Sequence, residues 1–162
     1  MAIRVQREDF DAGAEIEALS RGAPRIGAIV SFIGLVRDLH VREGYHRDAV
    51  EAMTLEHWPG VTEKALADIE AEAHRRWPLD ESLIVHRYGR LEPGARIVLV
   101  VTASPHRDAA FDACRFLIDW LKTKAPFWKL EETAAGERWV EAHADDDAAA
   151  ERWETDENKR SD

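Results

Sequence analysis

Residues 95–129, ARIVLVVTASPHRDAAFDACRFLIDWLKTKAPFWK, change periodicity twice, and the order of those changes sets the fold class. The run IVLVV is apolar without alternation, which suits a fully buried strand over Ala95 to Ala103. Ser104-Pro105 then opens a helix, with serine as N-cap and proline at the first helical position. Ala110, Ala113, Cys114, Leu117, Ile118 and Leu121 recur as one apolar stripe. Pro126 closes the helix, and Phe127 to Thr133 alternates as a strand that turns at Ala135-Gly136 into a second one over Glu137 to Ala142.

Upstream, the same reading gives a strand at Ile3 to Val5, a short helix over Asp9 to Leu19, and a strand over Ile26 to Ile33 that is buried on at least one face. Arg37 to Arg47 is rich in charge and lacks periodicity, so it reads as a loop. Val50 to Trp58 is extended, Pro59-Gly60 breaks it, and Ala65, Leu66, Ile69 and Ala73 mark a helix from Val61 to Arg76. Ser82 to Tyr88 is a strand joined to the one at Ala95 by the turn-rich GRLEPG. The order β-α-β-β-α-β-β-α-β-β, with several hairpins, is that of an α+β protein with largely antiparallel sheet.

At 162 residues and 45% apolar composition the chain suits one domain over residues 1–142. Residues 143–162 form an acidic tail, read as a solvated helix around Ala148 to Trp153 followed by disorder. Residues 141–162 carry a net −6 of the chain's −10, and a balance this acidic argues against a nucleic-acid partner. No basic start with a long apolar core and no membrane-length run occurs, so a soluble cytoplasmic protein is expected. The single cysteine, Cys114, precludes an intramolecular disulfide and reads as a small buried hydrophobe.

Against that acidity, cations gather around the third helix. His106 and Arg107 fall in its first turn, where free N–H groups and the dipole favour an anion. Two basic side chains there do nothing for the helix, which hints at a phosphate or carboxylate ligand; the plainer alternative is that they face solvent or pair with Asp108 and Asp112. Lys122 and Lys124 sit where lysines ordinarily complement a helix C-terminus. Lys129 lies past Pro126 beside Trp128, where no dipole explains it, and a lysine near aromatics and other cations can act as acid, base or amine nucleophile. The proline turn can bring Lys122 and Lys129 to one pocket. Arg37 ends a strand in the manner of a site residue, or is an ordinary loop arginine. The seven histidines are scattered, and neither HExxH, CxxC, a glycine-rich phosphate loop nor a GxSxG elbow is present.

Five blocks occur in order: FIGLVRD at 32–38, LEHWPGVTEKAL at 55–66, HRYGRLEPG at 86–94, SPHRDAAFDAC at 104–114, and LKTKAPFWKLE at 121–131 followed by GERWVEA at 136–142. In these the chain resembles the large, catalytic subunit of molybdopterin synthase, from about Ile26 to Ala142. The resemblance implies an α/β hammerhead-type fold with an additional antiparallel β region and a homodimer of large subunits. It also implies a small ubiquitin-like sulfur carrier, ending in Gly-Gly with a C-terminal thiocarboxylate, docked at each end. The reaction implied moves two sulfurs onto cyclic pyranopterin monophosphate to form the molybdopterin dithiolene, without a metal or organic cofactor.

Carried over by motif, Lys122 and Lys129 are the catalytic pair, and Arg37, His106 and Arg107 join them in binding substrate, with one arginine supplied across the dimer. Phe32, Pro126 and Phe127 are candidate walls of the pocket, core packing being the alternative for Phe32. His143 stands where the family often has a basic residue. A non-catalytic scaffold for a ubiquitin-like carrier is the competing reading, disfavoured because both lysines are present; a phosphometabolite hydrolase lacks a nucleophile or metal site.

Overall fold

The computed structural model describes residues 2–38, 49–140 and 148–153. Among residues 2–140 that are described, eight strands and three helices follow in the order β1 (Ala2–Gln6), α1 (Ala12–Ser20), β2 (Ala28–Leu35), β3 (Val50–His57), α2 (Val61–Arg76), β4 (Glu81–Arg87), β5 (Gly89–Leu91), β6 (Arg96–Ser104), α3 (Arg107–Lys124), β7 (Phe127–Thr133) and β8 (Gly136–Val140), and residues 148–153 are also helical. They make two four-stranded sheets, ordered β1-β4-β6-β2 and β5-β3-β7-β8. All pairs are antiparallel except β1 with β4.

The apolar run in β6 is apolar on both sides because both faces of its sheet are covered. Val98 and Val100 pack with Leu66, Ile69 and Ala73 of α2 and with Ala113, Phe116, Leu117 and Leu121 of α3. Leu99 and Val101 point the other way, toward Phe10, Ile16 and Leu19 around α1. Burying such side chains is worth roughly 1.5–3 kcal/mol each, which makes this central strand the anchor of the domain.

Four expectations change. The connector GRLEPG contains a strand, β5, which pairs Leu91 with Met53 and Gly89 with Leu55. Ser104 is not the helix cap: β6 runs through it, paired with Ala28, and its hydroxyl donates to the Pro78 carbonyl, so the N-cap falls on His106. Phe116 replaces Ile118 among the buried residues of α3, because the helix packs on α2 as well as on the sheet and its buried arc is wider than one stripe. β2 is an edge strand with Phe32, Ile33 and Leu35 exposed, so core packing does not account for Phe32.

Two glycines are required by the backbone, one for a close approach and one for its φ angle. A Cβ on Gly27 would lie 2.3 Å from the Pro105 carbonyl oxygen, so only glycine lets the start of β2 abut the turn into α3. Gly60 has φ +82°, the left-handed conformation that lets Trp58-Pro59-Gly60 turn directly into α2. Most of the Arg37–Arg47 loop, and His143, lie outside the described residues.

Candidate functional site

The cationic residues fall into two groups at opposite ends of α3. Arg107 opens the helix and Lys122 lies in its last turn, so at 1.5 Å per residue about 22 Å separates their backbones. Arg107 is exposed beside Asp108, at 3.6 Å, and His106 makes no capping hydrogen bond through its side chain. α3 returns along β6 and β2 from the end where Ser104 pairs with Ala28. Arg37, just past the Leu35–Arg96 pair that closes the other end of the ladder, therefore lies toward the Lys122 end. Lys124 is engaged differently, its ammonium 3.9 Å from the centre of the Trp120 ring.

The junction between α3 and β7 lies between the two lysines expected to form the catalytic pair. Ala125 caps the helix, Phe127 N–H donates back to the Ala125 carbonyl at 2.9 Å, and β7 begins at once. Lys129 is half-buried and shares a face of β7 with Phe127 and Glu131, in keeping with the two-residue period of a strand. Glu131 is almost fully buried, and Arg138 of β8, directly opposite, brings Nε and Nη2 to its Oε2 at 2.8 and 2.6 Å. A buried carboxylate two residues from Lys129 thus has its own cation.

His86, one of the seven scattered histidines, stacks its ring on Phe127 with centroids 3.7 Å apart and planes at 17°. Its Nδ1 lies 2.9 Å from the Arg87 carbonyl, an acceptor, so Nδ1 carries the hydrogen and donates. Burial pushes the His86 pKa down to about 3, and the nearby charge of Lys129 acts in the same direction. The imidazole beside Lys129 is therefore neutral at physiological pH. His57 completes the wall: its ring lies 4.4 Å from Tyr88 and 6.4 Å from Phe127, with Nε2 3.5 Å from Glu63 Oε1. The only signal in the sequence was the spacing of these residues within the quoted blocks.

Elsewhere, burial pushes the Cys114 thiol up to about 11, matching its reading as an inert apolar residue. Among the described residues no three His, Cys, Asp or Glu side chains gather as metal ligands, and no helix is long and apolar enough to cross a membrane. A groove of about 430 Å³ between α2 and α3 is lined by Glu72, Arg75, Trp120 and Lys124 but by neither Lys122 nor Lys129.

The sequence profile of the MoaE protein family matches residues 5–124. The molybdopterin synthase catalytic subunit of Pseudomonas aeruginosa is 58% identical over 154 residues, covering 95% of this chain and 99% of that protein. The catalytic subunit of Escherichia coli is 48% identical, covering 93% and 97%. Among solved structures, the molybdopterin biosynthesis MoaE protein of Burkholderia ambifaria superposes with a TM-score of 0.78 at 55% identity, covering 94% of this chain and 98% of that one. Molybdopterin synthase from Staphylococcus aureus gives a TM-score of 0.75 at 29% identity over 85% and 96%.

Proposed function

Because the chain belongs to the MoaE protein family, and its relatives are catalytic subunits of molybdopterin synthase, we propose that Lys122 and Lys129 form the reacting centre of this enzyme. The activity is sulfur transfer in molybdenum cofactor biosynthesis. In this reading a small ubiquitin-like carrier threads its Gly-Gly tail to the α3–β7 junction and presents a C-terminal thiocarboxylate. Cyclic pyranopterin monophosphate is the acceptor, and the enzyme works in the cytoplasm.

Once the thiocarboxylate sulfur has bonded to the acceptor, water adds to the acyl carbon and the acyl C–S bond breaks, leaving the sulfur on the acceptor and a carboxylate on the carrier; the addition places negative charge on the carbonyl oxygen. A lysine ammonium held at that oxygen stabilises the charge or supplies the proton that ends it. One observation carries this assignment: Lys129 sits half-buried on the Phe127 face of β7, beside a histidine that burial keeps neutral. Two residues along the strand, Glu131 accepts from Arg138 of β8.

His106 and Arg107 fit the substrate phosphate only if a second copy of the chain provides them, since within one chain the length of α3 keeps them from Lys122. The exposed apolar edge of β2, with Phe32, Ile33 and Leu35, supports such a homodimer. Arg37, at the Lys122 end of the sheet, joins the phosphate contacts from its own chain.

The test is turnover of purified protein with thiocarboxylated carrier and cyclic pyranopterin monophosphate, wild type beside Lys122→Ala. Wild type should form the dithiolene product, and the variant should lose roughly 100-fold or more in kcat while binding the carrier normally. Equal product from both would move the reacting centre elsewhere. Absence of product from wild type would leave the scaffold reading.

A further inference from the structure

We propose that Thr62 and His86 are positioning residues that hold the Pro126-Phe127 junction at two successive residues and so set the placement of Lys129 relative to Lys122. The proposal rests on the reading of those lysines as the reacting centre. Pro126 has no N–H, so its carbonyl is the one backbone group by which a neighbour can hold it through a hydrogen bond. Thr62 holds it: the Thr62 hydroxyl donates to the Pro126 carbonyl at 3.1 Å, across 64 positions of chain.

The grip is rigid because Thr62 is itself fixed. Its side chain is completely buried, and its Oγ1 accepts the Trp58 N–H at 3.1 Å, so the hydroxyl is used in both directions. Its own N–H donates to the Trp58 carbonyl at 2.9 Å. One residue on, the Glu63 carboxylate accepts the Gly60 N–H at 2.6 Å, locking the first turn of α2 against the positive-φ glycine. The block WPGVTE, which has no catalytic side chain assigned to it, thus becomes a staple for the turn between the lysines.

At the next residue, the His86 ring lies flat against Phe127, held in plane by its donation to the Arg87 carbonyl. Phe127 pairs with His57 of β3, so the first residue of β7 is fixed by a ladder position and a stack together. Loosening either contact shifts the end of β7 that carries Lys129 while leaving the exposed docking surfaces intact. The expected signature is a fall in kcat with little change in KM.

Steady-state kinetics with thiocarboxylated carrier and cyclic pyranopterin monophosphate test this on Thr62→Val, Thr62→Ser, His86→Leu and the Thr62→Val/His86→Leu pair, with Lys129→Ala alongside and folded fractions measured by circular dichroism. Thr62→Val keeps the shape and removes the hydroxyl; it should lower kcat about tenfold or more, with KM for the carrier within about twofold. Thr62→Ser should restore kcat to within about twofold, and the double variant should lose less than the product of the single losses, since both contacts act on one dipeptide. If Thr62→Val does not fold, the kcat and KM of His86→Leu decide the matter in the same way. Wild-type kcat in the single variants, or losses that only track the folded fraction, would overturn the clamp while leaving the lysine reading standing. Undiminished turnover by Lys129→Ala would instead remove the premise and the clamp with it.

Discussion

His86 shows how one residue links the site to the stability of the fold. Its pKa is about 3 in the folded chain against about 6.5 when unfolded, so between those values the unfolded state takes up a proton that the native state refuses. Its contribution is therefore fully present above pH 6.5 and is lost as pH falls toward 3, by up to about 1.4 kcal/mol per pH unit. Urea midpoints at pH 7 and pH 5 should show wild type losing about 2 kcal/mol more than a His86→Gln variant over that interval. His74, also depressed by burial, contributes in the same direction but is common to both proteins, and Asp9 titrates below the interval. Parallel pH profiles would mean that His86 is solvated in the native state.

Among the elements, the helical residues 148–153 depart furthest from expectation. A solvated acidic helix was expected, but Ala150 and Trp153 are buried, and Trp153 belongs to the main core with Trp77 and Phe116, each at 5.6 Å and nearly perpendicular. Its indole N–H donates to Asp119 at 2.9 Å, and Arg76 donates to its carbonyl at 2.8 Å. Trp153→Ala should cost about 3–5 kcal/mol in urea unfolding; a cost under about 1 kcal/mol would show that this helix does not dock. The contrast with α2 explains what the sequence discloses. α2 matches its expected bounds because Pro59-Gly60 and Pro78 punctuate a clear apolar stripe, whereas Trp153 stands in a segment whose charge hides a contact 77 positions away. The site divides in the same way. Lys122 and Lys129 attract notice because charge stands out locally, while Thr62 and His86 act through partners on distant elements that no local pattern announces.

At the scale of the whole molecule, the two cationic groups at opposite ends of α3 become one site only if two chains meet, and this can be tested without a structure of the pair. Arg107→Ala retains Lys122 but lacks the arginine its partner needs; Lys122→Ala has the reverse defect. Each variant alone should turn over poorly. If the site is composite, co-refolding the two in equal amounts yields half heterodimers, each with one intact site of two, so turnover should recover to roughly a quarter of wild type. If Arg107 serves its own chain, every heterodimer site carries one of the two defects, and mixing restores nothing. The exposed apolar edge of β2 supplies the companion measurement, because charge placed there, as in Leu35→Glu, should shift the native mass toward the monomer and abolish the recovery with it. Leu35→Glu variants that stay dimeric and still show the recovery would mean that the second chain docks through another surface.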